Sequence, residues 1–72
     1  LPGIAIVQIT INGTPREVTD GITVAELLGR LELRPQQVAV EVNRELVPRT
    51  RHLDRALLAG DAVEIVTLVG GG

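Results

Sequence analysis

The chain has 72 residues, a formal net charge of −2, a single histidine, and neither cysteine nor any aromatic residue. That length makes one domain with a small core, a chain of this size burying only about 60% of its unfolded surface. The composition excludes disulfide staples, a thiolate metal site and a cysteine nucleophile. It also argues against nucleic acid as a partner, because such binders carry stacking aromatics or a basic patch.

All seven basic residues are arginines. No internal ε-amine can therefore capture an activated carboxyl group of this protein. His52, the lone histidine, reads as a surface or packing residue rather than a metal ligand. Nothing resembles a signal peptide, and no apolar run is long enough to span a membrane. Without staples, a reducing cytosol is the expected compartment.

In chain order, "IAIVQITING" alternates, with Ala5, Val7, Ile9 and Ile11 on one face of a strand and Gln8 and Thr10 on the other. Asn12-Gly13 is a strong hairpin signal, since both residues tolerate positive φ. "TPREVT" returns as a second strand with Val18 toward the core, and Pro15 suits an edge. "TVAE", Thr23 to Glu26, reads as a capping box at a helix start. Val24, Leu27, Leu28 and Leu31 then form one apolar stripe. Gly29 weakens this helix by roughly 1 kcal/mol relative to alanine, a cost that close helix–sheet contact would explain. Pro35 falls beyond the helix end.

"VAVEV" is a third strand with Val38, Val40 and Val42 on one face. Asn43-Arg44 turns into a short fourth strand, "ELVP". "RHLDRALLAGD" predicts one irregular or helical turn across the core, carrying Leu53, Leu57 and Leu58. The last strand is "AVEIVTLV", with Val63 and Ile65 inward and Glu64 outward. Leu27, Leu28 and Leu31 are expected to centre the core with Ile9, Val40 and Ile65.

The order β-β-α-β-β-β predicts an α+β fold, a β-grasp (ubiquitin-like) domain: a mixed sheet of about five strands with one helix on one face. The first and last strands should lie parallel in its centre. The domain proper is expected over residues 1–68, with residues 69–72 as a flexible C-terminal tail.

No nucleophile–base motif, phosphate loop or metal-ligand spacing is present. Glu17, Glu41, Glu45 and Glu64 fall where strands show their solvent face. The chain therefore reads as no enzyme, with no bound cofactor. The informative feature is the close, Val69-Gly70-Gly71-Gly72, directly after an apolar β-branched run. Four extended residues span at most roughly 13–14 Å, enough to carry a carboxylate into a partner's active site. Glycine passes a narrow channel without a Cβ and accepts any φ the channel demands. Adenylation would turn an unreactive carboxylate into an acyl donor for a sulfur or amine nucleophile.

"VNRELVPR", Val42 to Arg49, and "GDAVEIVTLVGGG", Gly60 to Gly72, together with "ITING" and "TVAELL", resemble the ThiS family of bacterial sulfur carrier proteins of thiamin biosynthesis. The resemblance covers nearly the whole chain except "LPGIA". It implies that a ThiF-type adenylyltransferase uses ATP to adenylate Gly72, with Gly70 and Gly71 completing the required tail. Sulfur drawn from cysteine by a desulfurase then gives a thiocarboxylate, which the thiazole synthase ThiG consumes. Two alternatives share the fold: a MoaD-like small subunit of molybdopterin synthase, and a ubiquitin-like modifier that forms isopeptide bonds.

A docking patch is expected beside the tail. Ala62, Glu64, Val66 and Leu68 share one face of the last strand, and Ile6 is expected to join Val66 and Leu68 from the neighbouring first strand. Arg49 and Arg51, after Pro48, are candidates for pairing with acidic groups of a partner.

Overall fold

The computed structural model describes residues 4–68. Five strands form one mixed sheet: β1 (Ile6–Ile11), β2 (Thr14–Thr19), β3 (Val38–Val42), β4 (Glu45–Val47) and β5 (Ala62–Thr67), in the spatial order β2-β1-β5-β3-β4. The α+β arrangement and the parallel β1–β5 pair at the centre agree with the sequence reading. The predicted flexible tail, residues 69–72, lies outside the described residues.

Both hairpins are made by two-residue turns in the left-handed region. Asn12 and Gly13 have φ of 51° and 83°, and Asn43 and Arg44 have 52° and 69°. These signs match the right-handed twist of the flanking strands, which is why such short loops close hairpins. They set the register Ile11 opposite Thr14 and Val42 opposite Glu45. Pro15 sits on β2, an edge strand, where its missing N–H costs nothing to the ladder.

The helix α1 (Val24–Arg30) begins with the predicted capping box. Glu26 N–H donates to Thr23 Oγ1 at 3.1 Å, and Thr23 N–H donates to Glu26 Oε1 at 3.0 Å. The two amides between them are satisfied by tertiary structure: Val24 N–H donates to Arg55 O and Ala25 N–H to His52 O, each at 2.9 Å. The helix stops earlier than Pro35 requires. Glu32 takes φ of 58°, its N–H donates to Gly29 O, and Leu33 N–H donates to Leu28 O at 2.9 Å. That bonding pattern is a Schellman close built on glutamate in place of the usual glycine.

One face of the sheet carries the core. Ile9, Val18, Val40, Val42, Val47 and Val63 from the strands pack with Val24, Leu27 and Leu28 of the helix. Leu31 and Ile65, expected at the core's centre, are half-buried at its margin. Ala5 precedes β1 and is exposed, contrary to the alternation reading, because the strand begins one residue later. Gly29 is exposed too. A Cβ there would meet nothing within 4 Å, so no close helix–sheet approach accounts for it.

The segment between β4 and β5 opens with a 3₁₀ turn, Arg49–Arg51, and then runs under the helix start. Thr23 and Ala56 form an antiparallel bridge, and Leu57 N–H donates to Ile22 O at 2.8 Å. Of its three leucines only Leu57 is buried. Leu53 and Leu58 are exposed, because this irregular backbone lacks the helical period that would have brought all three inward. His52 is buried here, and its Nε2–H donates to Val47 O at 3.1 Å, a packing role. No helix among the described residues is long and apolar enough to cross a membrane.

Candidate functional site

β5 delivers the chain to residues 69–72, and its surroundings define the candidate site. On one flank it pairs antiparallel with β3 from Val63 opposite Val42 to Thr67 opposite Val38. Leu68 N–H extends that ladder by donating to Gln37 O at 2.8 Å. On the other flank the parallel register with β1 covers only Ala62 and Val63, opposite Thr10 and Ile11.

Two turn asparagines lengthen this hold on β5. Asn43 N–H donates to Ala62 O at 2.8 Å, and Asn43 Oδ1 accepts from Ala62 N–H at 2.9 Å. Asn12 Oδ1 accepts from Ile65 N–H at 2.8 Å, and its Nδ2 donates to Ile65 O at 3.1 Å. The sequence marks both asparagines as turn formers. Their second role escapes it, since the partners lie 19 and 53 positions away.

The outer face of β5 carries Ala62, Glu64, Val66 and Leu68, all exposed as expected. Directly opposed residues share a face, so Ala39 joins Val66, and Glu41 joins Glu64. Leu46 of β4 lies opposite Glu41 and is 64% exposed. The apolar surface thus comprises Val66, Leu68, Ala39 and Leu46. Leu46 was missed by the sequence reading. Counting outward from the two-residue turn at Asn43-Arg44 puts it on this face, so the signal was present.

Ile6 does not extend this surface. It is exposed and on the same face, but β1 and β5 are parallel with Thr10 beside Ala62. Ile6 lies four residues before Thr10, and Val66 four after Ala62. The two are therefore about eight residues apart along the sheet, or roughly 26 Å at about 3.3 Å each. Adjacent strands do not imply adjacent residues.

Arg49 and Arg51 point to different places. Arg49 lines a cleft with Leu46, Pro48, Ala39 and Leu68, and so borders the apolar surface. Arg51 lies with Glu45 and Arg55 in an adjoining depression that shares Leu46 and Pro48, and it pairs with Asp54 at 3.8 Å. Glu41 and Glu64 face each other across β3 and β5. Like charges directly opposed do not favour a sheet. Gly70, Gly71 and Gly72 lie outside the described residues. Among the described residues no three His, Cys, Asp or Glu side chains are grouped to hold a metal ion.

A sequence profile of the ThiS family matches residues 9–72. The chain is 38% identical over 65 residues to the sulfur carrier protein ThiS of Thermus thermophilus, covering 90% of this chain and 100% of that protein. It is 42% identical over 65 residues to a thiazole synthase of Paramagnetospirillum magneticum, covering 90% of this chain but only 20% of that much longer protein. The crystal structure of a thiamine biosynthesis protein (ThiS) from Geobacter metallireducens superposes with a TM-score of 0.80 at 35% identity, over 92% of this chain and 100% of that one.

Proposed function

The chain belongs to the ThiS family, and from this premise we propose that it is a sulfur carrier of thiamin biosynthesis whose working group is the carboxylate of Gly72. A ThiF-type enzyme supplies the nucleotide site. The Gly72 carboxylate attacks the α-phosphorus of ATP, pyrophosphate leaves, and the acyl carbon becomes bonded to a good leaving group. The persulfide sulfur fed by a cysteine desulfurase then displaces AMP to give an acyl disulfide, and a thiol cleaves its S–S bond, leaving the thiocarboxylate on Gly72 and a new disulfide on the thiol side. A thiazole synthase is the acceptor, a reading supported by a thiazole synthase that contains a segment matching this chain.

The observation that carries this reading is the course of β5. A strand held on both flanks leads straight toward the glycines. A strand so held, running into residues without side chains, suits delivery of a carboxylate into a channel, the body remaining outside. ATP is thus a co-substrate of the activating enzyme, not a ligand of this domain. The protein serves as co-substrate and carrier.

The test is to incubate the protein with a ThiF-type enzyme, ATP and a sulfur source, and to weigh it intact. The wild-type chain should gain the mass difference between one sulfur and one oxygen, localised to the last peptide. Deleting Gly72, adding a residue after it, or Gly71→Val should abolish the gain without altering the fold. A deletion variant that gains the mass equally well, or a wild-type protein that never gains it, defeats the reading. A product joined to a lysine of another protein would favour the modifier alternative.

A further inference from the structure

We infer that Asn12 is a positioning residue for the reaction at Gly72, acting through β5. This inference rests on the carrier reading. The backbone of β1 follows a parallel ladder as far as Asn12, whose N–H donates to Val63 O at 2.9 Å. The next rung would have Ile65 N–H donating to the carbonyl of residue 12. The turn prevents this, because Asn12 and Gly13 already have positive φ and reverse the chain into β2. The side-chain amide of Asn12 stands in. Its Oδ1 accepts from Ile65 N–H and its Nδ2 donates to Ile65 O, so one primary amide supplies both halves of a rung.

The consequence is directional. With Asn12 in place, β5 is held on both flanks through Ile65, opposite Val40 on one side and Asn12 on the other. From Val66 onward the described residues hold it on the β3 flank only. Asn12 is therefore the last fixed point on the β1 side before residue 69. An edge released at that point lets β5 pivot about β3 and shifts the end of the strand from which the chain departs toward Gly72. Orientation of the reacting group is where rate is lost most steeply.

Asn12 lines a depression with Val66 on the β1 flank of β5, but its side-chain hydrogen bonds go to the backbone of Ile65 and not to the apolar surface of Val66, Leu68, Ala39 and Leu46. Loss of this side chain should consequently lower kcat more than it raises KM.

Asn12→Gly is the informative variant. Glycine accepts the same positive φ, so the hairpin closes, and only the two side-chain bonds vanish. Asn12→Asp is the second variant. Aspartate also tolerates this turn, but places a carboxylate oxygen against Ile65 O where Nδ2 donated. Both are read in three ways: melting temperature, hydrogen exchange at the Ile65 amide, and kcat and KM for ATP-dependent adenylation by a ThiF-type enzyme well below the melting point. With the fold intact, Ile65 should lose protection in Asn12→Gly. In both variants kcat should fall about tenfold while KM moves less than about twofold, the pattern of an interaction that aligns the reacting group rather than docks the body. A purely structural role would lower the melting temperature and leave kcat untouched. Wild-type kcat in either folded variant, unchanged protection at Ile65 in Asn12→Gly, or a loss carried by KM overturns the inference. Absence of adenylation in the wild-type protein would instead defeat the carrier reading, and the positioning role with it.

Discussion

Asp61 and Asn43 meet at the start of β5, where Asn43 Nδ2 donates to Asp61 Oδ1 at 3.0 Å. The other carboxylate oxygen accepts from Leu58 N–H at 2.9 Å, and Arg55 Nη1 stands 3.8 Å away. Asp61 is nearly buried, and its removal breaks three contacts whose partners lie on exposed or half-buried residues. Asp61→Ala should destabilise the domain by about 1–3 kcal/mol. In a domain this small each kcal/mol shifts the melting temperature by roughly 4–8 °C, which thermal denaturation resolves. An unchanged melting temperature would show that the three contacts are not made in solution.

Leu28 is 1% exposed and lies at the centre of the helix–sheet contact. Leu28→Ala should cost roughly 2–5 kcal/mol, much of the total stability of such a domain. Urea denaturation measures the loss. A cost below about 1 kcal/mol would mean that the site collapses around the smaller side chain.

Gly29 gives the opposite sign. It is helical, exposed, and has nothing near the position of a Cβ. Gly29→Ala should therefore stabilise the domain by up to about 1 kcal/mol through helix propensity alone. A fall in stability would reveal a contact that the open space at this position does not suggest.

Glu26 ties the helix start to pH. The Thr23 backbone N–H, then its hydroxyl, and more weakly the Arg30 charge hold the Glu26 carboxyl below its ordinary 4.5. A carboxyl depressed in the folded state adds stability above its unfolded value and loses it as pH falls through the folded one. Stability of the wild-type protein relative to Glu26→Gln should accordingly shrink as pH is lowered below 4.5 and stay constant at neutral pH. Parallel stability curves for the two proteins across that range would remove the assignment.

Val66 and Leu68 are half exposed with no core role. Val66→Asp or Leu68→Asp should leave the melting temperature close to that of the wild-type chain and weaken binding to the activating enzyme about tenfold, the scale of an interface residue worth a little over 1 kcal/mol. Ile6→Asp, at the far end of the sheet, should leave affinity unchanged. Equal effects at all three positions would mean that the partner covers the whole outer face, and no effect at any of them would dismiss the patch.

The local chemistry of this chain was legible residue by residue. Alternation of valines in Val38–Val42, the two left-handed turns and the Thr23–Glu26 box each depend on neighbours within a few positions, so the sequence alone determined the elements, their order and most of their inward faces. Position along the sheet is a different matter, because it depends on which residues two distant strands bring level. Only the register of Thr10 with Ala62 separates Ile6 from Val66, and only the register of Glu41 with Glu64 brings Leu46, which the turn already sets opposite Glu41, level with β5. The same holds for the polar contacts. Asn12 and Asn43 are marked by their turns, but their grip on Ile65 and Ala62 exists because the fold carries β5 past both turns. Propensity and pattern act over a few residues, whereas hydrogen bonds across 53 positions are decided when the strands close around the core.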